Sequence, residues 1–330
     1  MREHALESRA TVAASPRTGV SMLSVGTALP ETVVTTAEIA GWAGTSKDWM
    51  VSRTGIRERR HARPDERLAD YAVAAGAEAL ARAEVEPGDV DMVLVGTLHP
   101  DQVTPNVAPE VAHRLGCGDA GALDIGAACT AFLGGLGLGT AWIEAGRAET
   151  VLLIGADFVS RHTDFSDPKT AALFSDGAGA VVLGASGDAN MGPVILRSDG
   201  SHMTTLSGSW DDGLFRMDGP EVFRHAVARM SEVVAEAVDA ADLELGHVDL
   251  FVLHQANQRI TTAITERLGL DPGRVVDTIP SLGNNSAATL PLALDAARGD
   301  GRLVDGATVA LGAFGAGFTY GGAVATWGGA

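Results

Sequence analysis

Cys129 lies in the run Asp124-Ile125-Gly126-Ala127-Ala128-Cys129-Thr130-Ala131-Phe132, where a strand-like segment ends in small residues, presents one sulfur and opens into a Gly-rich apolar helix. A thiol at a helix N-terminus meets the positive end of the macrodipole, which favours thiolate and lowers the pKa. Such a sulfur can accept an acyl group. The competing reading is an inert core residue, because free Cys is among the most buried residue types. A second run, Leu253-His254-Gln255-Ala256-Asn257, puts His254 at the C-terminal edge of an expected strand, where open α/β sheets build their sites. Most strand-end histidines are simply satisfied structural residues. A third run, Ser281-Leu282-Gly283-Asn284-Asn285-Ser286-Ala287-Ala288, places the amide of Asn284 ahead of an expected helix from Ser286 to Arg298, where N-capping is its plainer job. Together, a thiolate, an imidazole donor and an amide donor suit thioester chemistry. The sulfur takes the acyl group, and the other two hold negative charge on a second carbonyl. Tight turns in Ala313-Phe314-Gly315-Ala316-Gly317-Phe318 can add backbone N–H donors.

Such groups need a scaffold. Apolar runs at Val20–Gly26, Val90–Gly96, Thr150–Gly155, Gly179–Gly184, Val248–Leu253, Thr308–Gly312 and Ala323–Trp327 alternate with Ala-rich helical patterns, which implies buried, mostly parallel sheets. The chain also repeats itself. Asp89-Val90-Asp91-Met92-Val93-Leu94-Val95 echoes His247-Val248-Asp249-Leu250-Phe251-Val252-Leu253, and Ala112-His113-Arg114-Leu115-Gly116 echoes Thr265-Glu266-Arg267-Leu268-Gly269. From those phrases the first copy reaches Cys129 and the second reaches Asn284 after similar distances, so the two residues are expected at nearly equivalent places. Each copy continues through a helix into a strand, Thr150–Gly155 or Thr308–Gly312, and a glycine-bracketed hairpin, Asp176–Val182 or Gly315–Gly321. Gly134, Gly135, Gly137 and Gly139 in the helix after Cys129 suggest a central buried helix with backbone packed on backbone.

Composition excludes several classes. The 330 residues are 46% hydrophobic and 20% charged, enough for one large core or two fused ones. Two cysteines make a disulfide framework improbable and fit a reducing, cytoplasmic setting; Cys117 reads as structural. No stretch reaches the length of a bilayer span, and residues 1–18 read as a frayed polar tail. A net charge of −18 opposes general binding to nucleic acid or an anionic membrane. The cluster Arg53, Arg57, Arg59 and Arg60 is either a patch for an acidic partner or a solvated face balanced by Glu58.

The motifs together resemble the β-ketoacyl-acyl-carrier-protein synthase III family of the thiolase superfamily, from about residue 19 to the end. The matching phrases are Asp48–Arg59, the Cys129 run, Ser175-Asp176-Gly177-Ala178-Gly179-Ala180, His254-Gln255-Ala256-Asn257, Gly283–Ala288 and Phe314–Thr319. The resemblance implies an α/β, five-layered αβαβα fold of two duplicated halves with mixed sheets around buried helices. The N-terminal half would be 19–186, with the nucleophile, and the C-terminal half 187–330, with the His and Asn. It also implies a homodimer with no cofactor. Cys129 would attack an acyl-CoA, and His254 and Asn284 would hold the enolate formed when malonyl on an acyl carrier protein loses CO₂. The N–H groups of Cys129 and Ala316 would bind the tetrahedral oxyanion. By the same resemblance Trp49 stacks on the CoA adenine, Arg53 meets the CoA phosphate and Arg259, with Arg224 and Arg229 beside it, attracts the carrier.

Three departures stand out. Asp167-Pro168-Lys169 replaces an adenine-sandwiching Arg, Ala316 replaces a glycine, and Thr104 stands where a bulky aromatic, supplied by the partner subunit, closes the acyl tunnel of acetyl-specific members. The last implies a longer, branched or unusual starter. Thiolases need a second, late cysteine, and elongating synthases pair the Cys with two histidines; neither fits. A plant-type polyketide synthase shares the Cys, His and Asn set but is a longer chain. The rival on the same fold is an acyltransferase that uses His254 as a general base and makes no carbon–carbon bond. A dinucleotide site at Gly177-Ala178-Gly179-Ala180 lacks its third glycine and leads into a strand. A non-catalytic binding protein would form no acyl adduct on Cys129.

Overall fold

The computed structural model describes residues 19–187, 191–209 and 211–328; the expected tail 1–18 lies outside them. The first half runs β1 (Gly19–Ala28), β2 (Val33–Thr35), α1 (Thr36–Trp42), α2 (Lys47–Thr54), β3 (Glu58–Arg60), α3 (Leu68–Ala83), β4 (Met92–Gly96), α4 (Val107–Leu115), β5 (Gly121–Ile125), α5 (Ala131–Glu144), β6 (Thr150–Phe158), α6 (Pro168–Ala171) and β7 (Asp176–Ser186). The second runs β8 (Ile195–Ser198), β9 (Leu206–Gly208), β10 (Phe215–Met217), α7 (Gly219–Ala240), β11 (Leu250–Leu253), α8 (Gln258–Leu268), α9 (Ile279–Leu282), α10 (Thr289–Gly299), β12 (Thr308–Gly315) and β13 (Thr319–Thr326).

Strand alternation builds the layers. In β6, Leu152 and Ile154 join α3 and α4 in one core, whereas Val151 and Leu153 face Phe132, Leu136 and Ile143 of α5 in another. That second core also holds Leu290 and Leu294 of α10 together with Val309 and Leu311 of β12, so α5 and α10 form the middle layer between two sheets. Ala310 and Val324 face outward onto Val234 of α7 and Ile264 of α8. The result is the αβαβα sandwich that the resemblance implies.

The sheets are mixed, which corrects the mostly parallel arrangement read from the apolar runs. Their orders are β1-β7-β6-β4-β5 and β11-β12-β13-β8; β4 is parallel to β5 and β6, and β11 to β12, while β1, β7, β13 and β8 pair antiparallel. Burial on both faces, not strand direction, makes a run continuously apolar, so hydrophobicity alone did not report direction.

One constant spacing relates the halves. It pairs Met92 with Leu250, Thr150 with Thr308, and the left-handed residues Glu84 and Asp242 that end α3 and the α7 turn. It also pairs Ala128 (φ 49) with Ser286 (φ 51), the first residues of the 3₁₀ turns before α5 and α10. The true repeat partner of Cys129 is therefore Ala287, and Asn284 lies three residues earlier. The expected equivalence failed because the link from α8 is longer than that from α4. The Asp176–Val182 phrase, read as part of a hairpin, lies inside β7 and pairs with β6 only after the excursion that carries α6.

The helix glycines also pack differently from expectation. A Cβ on Gly135 would sit 2.3 Å from Leu153 Cδ1, so helix α5 lies against strand side chains. True backbone-on-backbone approach occurs at Gly155, where a Cβ would sit 2.3 Å from the carbonyl oxygen of Ala287. That approach seats the turn before α10 on β6.

Candidate active site

Both 3₁₀ turns meet at one end of the middle layer. Cys129 sits on the turn Ala128–Thr130, ahead of α5, and its side chain is buried, 8% exposed. Its Sγ accepts a hydrogen bond from Ser286 Oγ at 3.6 Å. Burial pushes the thiol up to about 12, against the lowered value expected for a helix N-terminus; the Ser286 hydroxyl pulls the other way and the nearby Asp157 adds to the rise. Loss of hydration outweighs the helix end because the sulfur lies in an apolar cavity. Deprotonation must therefore accompany acylation.

His254 follows β11, and its N–H donates to Gly312 O at 2.7 Å. Its buried ring has Nδ1 2.6 Å from Thr289 Oγ1, and burial lowers its pKa to about 3, so the imidazole is neutral. The Thr289 hydroxyl also lies 3.0 Å from Ser286 O and has one proton to give. Given to Nδ1, that proton leaves Nε2–H as a donor; given to Ser286 O, it leaves Nε2 a bare acceptor. Thr289→Val removes this selection while keeping the volume. If the donor tautomer carries the chemistry, condensation should fall about tenfold, the worth of one hydrogen bond, with acylation by acyl-CoA unchanged; rapid-quench measurement of the two half-reactions checks this.

Asn284 is not a helix cap. Its backbone N–H donates to Leu173 O at 3.0 Å, its own carbonyl accepts from Ser175 N–H at 2.9 Å, and its Oδ1 accepts from Ser286 N–H at 2.9 Å. With Oδ1 occupied, Nδ2 is the group left to donate into the cavity. Gly283 makes the turn possible with φ 61 and ψ −156, a conformation that suits glycine.

Cys129, His254 and Asn284 line one small cavity of about 110 Å³, otherwise walled mainly by apolar groups such as Phe174, Met217, Val222, Met230 and Phe314. The β12–β13 hairpin lies against the nucleophile: a Cβ on Gly315 would sit 2.9 Å from Cys129 N. Ala316 follows it, half-buried, and the glycine-favouring φ of that hairpin falls on Gly317 (φ 131). Alanine is thus compatible with the loop.

The cavity shares Leu173, Met217, Phe223 and Asn257 with an outer cleft of about 940 Å³ that Trp49, Arg53, Lys169 and Arg259 also line. Trp49 and Arg53 sit one turn apart on α2, with the guanidinium 4.6 Å from the ring centroid. One face of the indole is covered by Arg53, so any stacked ligand takes the other. Lys169 is exposed on α6, in the cleft. Arg259 is exposed at the start of α8 over Phe223, whereas Arg224 and Arg229 are engaged by Glu221 and by Glu232 and Asp199. The expected basic patch thus narrows toward Arg259.

One other expectation changes. Arg59 is wholly buried: it donates to Ala172 O at 2.9 Å and Thr36 Oγ1 at 3.3 Å, and burial lowers its pKa to about 10. It ties β3 to the segment after α6 and belongs to no surface patch. Thr104 lies on an exposed loop outside the protomer's own cavity. Cys117 is buried, as expected of a structural thiol. Among the described residues no group of three His, Cys, Asp or Glu side chains could hold a metal ion, and no helix is long and apolar enough to cross a membrane. Ser286, Thr289 and Asp157 escaped sequence reasoning. Ser286 stood inside a quoted motif, Thr289 lay one residue beyond it, and Asp157 had the signal of a strand-end position in β6.

Two duplicated α/β halves, with a Cys, a His and an Asn gathered where their central helices meet, define the condensing-enzyme class of thiolase-fold proteins. Comparison agrees. The model of the family "3-Oxoacyl-[acyl-carrier-protein (ACP)] synthase III" matches residues 123–200, and that of its C-terminal part matches 238–327. A β-ketoacyl-[acyl-carrier-protein] synthase III of a Bradyrhizobium species is 42% identical over 93% of this chain and 98% of its own. A Streptomyces coelicolor relative, β-ketoacyl-[acyl-carrier-protein] synthase III 2, is 42% identical over 95% and 96%. The priming β-ketosynthase of the R1128 polyketide pathway superposes with TM-score 0.93 at 34% identity, covering 97% of this chain and 99% of that one. The chain belongs to the β-ketoacyl-[acyl-carrier-protein] synthase III family and is an acyl-transferring condensing enzyme.

Proposed function

We propose that Cys129 takes an acyl group from acyl-CoA and that the acyl-enzyme condenses with malonyl on an acyl carrier protein, releasing CO₂ and a 3-oxoacyl thioester. The carrying observation is the shared apolar cavity in which one sulfur and two potential donors face a single small space. A neutral His254 and the Nδ2 of Asn284 hold the enolate oxygen, and the N–H groups of Cys129 and Ala316 bind the tetrahedral oxyanion. Trp49, Arg53 and Lys169 are placed to hold CoA in the outer cleft, and the exposed charge of Arg259 suits an acidic carrier. Residues 19–186 supply the nucleophile and 187–330 the His and Asn. The test is incubation with acyl-CoA and malonyl-carrier. Release of CO₂ with a product two carbons longer supports the reading, and bare acyl transfer to a carrier, alcohol or amine replaces it with the acyltransferase.

A homodimer is part of this proposal. Strand β5 is an edge strand with partly exposed Gly121–Ile125, and Leu123 there and Leu138 on α5 are 44% and 43% exposed, with Val103 on the Thr104 loop at 86%. An open apolar strand edge is a pairing surface. Two such edges meeting would carry Thr104 toward the partner's cavity, where its small side chain leaves room for a larger starter. Leu123→Glu should shift sedimentation toward the monomer; an unchanged dimer, or a monomeric wild type, removes this part.

A further inference from the structure

The buried thiol needs a route for its proton, and His254 is tied to Thr289 through Nδ1. The Ser286 hydroxyl lies 3.6 Å from Cys129 Sγ, and the Asp157 carboxylate, which accepts from the N–H of the adjacent Ala287, has its charged form favoured by that same hydroxyl. Asp157 sits at the C-terminal end of β6, 1% exposed and without an ion pair among the described residues. Its Oδ1 accepts from Leu98 N–H at 2.7 Å and Thr97 Oγ1 at 3.1 Å, and its Oδ2 accepts from Ala287 N–H at 3.1 Å. The groups facing it are thus neutral donors at the end of β4 and on the turn before α10, with Cys129 the titratable neighbour on the turn before α5. A structural carboxylate here would satisfy two loops, but it would not need a hydroxyl shared with the reacting sulfur.

We propose that Ser286 and Asp157 form a proton relay for Cys129. As the sulfur attacks the acyl-CoA carbonyl, the Ser286 hydroxyl turns its proton from Sγ toward Asp157, accepts the thiol proton on Oγ and passes its own proton to the Asp157 carboxylate. The carbon–sulfur bond to CoA breaks, and the CoA thiolate takes a proton from solvent. Asp157 stays protonated through the life of the acyl-enzyme. When condensation expels Cys129 as thiolate, the proton returns by the same path. One turnover therefore consumes one solvent proton, the one on the released CoA. Ser286 touches the reacting sulfur, and Asp157 acts through it as a positioning and proton-holding residue. This rests on the acyl-enzyme reading above.

A pH profile separates a relay from a structural role. Wild-type CoA release from acetyl-CoA in a single turnover should fall on the acid side with a midpoint at about 6, as Asp157, held up by burial, fills with its proton. Alkylation of Cys129 by iodoacetamide should show the same limb. In Ser286→Ala and Asp157→Asn the limb should vanish, the rate at pH 7 should drop about 100-fold, and the remainder should rise with pH as free thiolate forms. Alanine suits position 286, since Ala128 holds the same left-handed φ in the other half. A wild-type rate in either variant, or an equal loss at every pH with the midpoint unmoved, overturns the relay. The alkylation arm needs no CoA: a limb there without any acylation by acyl-CoA would keep the relay and sink the proposed reaction instead.

Discussion

Cys129→Ala is expected to abolish the acyl-enzyme and to lower condensation by about 10⁶, the order seen when a covalent nucleophile is removed. Acyl-CoA should then leave no adduct by intact-protein mass spectrometry. The change should barely affect folding, because alanine follows the same backbone and the sulfur makes one hydrogen bond, with Ser286. The variant should nevertheless still release CO₂ from malonyl-carrier, since the enolate is held by His254 and Asn284 and not by sulfur. CO₂ without a lengthened product is the signature of that division. An acyl adduct on this variant, or equal loss of CO₂ release, would refute it.

Asn284→Ala should show the reverse pattern: acylation within a few-fold of wild type, condensation lower by about 10² to 10³, as for loss of one oxyanion donor. Alanine also frees the Ser286 N–H that Oδ1 now accepts. Asn284→Asp keeps that acceptor but replaces Nδ2 with an oxygen that repels an enolate. It should acylate normally and condense as poorly as the alanine variant, or worse. Chasing pre-formed acyl-enzyme with malonyl-carrier reads this directly. Equal loss of acylation in the Asp variant would place Asn284 in the first half-reaction and contradict its role.

Much of this was legible in the chain because it is local. His254 at a strand end, Cys129 at the mouth of a glycine-rich helix and the matched phrases before β4 and β11 are statements about neighbours in sequence. The doubling was legible too, but the register at the nucleophile was missed: the loop after α8 is longer than its counterpart, and the paired left-handed residues Ala128 and Ser286 put Ala287 opposite Cys129. Arg59 looked like a surface cation because a charge run carries no sign of which member points inward. Strand direction was hidden for a similar reason, since burial on both faces gives the same apolar run either way.

The sequence by itself determined the residue types that can do the chemistry, the elements that carry them and their order along the chain, because these follow from spacing, turn residues and side-chain chemistry. Tertiary structure alone decided the state of those groups. Packing α5 against α10 between two sheets buries the sulfur and the imidazole together, which raises one pKa and lowers the other. It also brings Ser286 and Asp157 to Cys129 from distant segments of chain. A protonation state is set by what surrounds a group in space, through lost hydration and nearby charge, and no spacing along the chain encodes that.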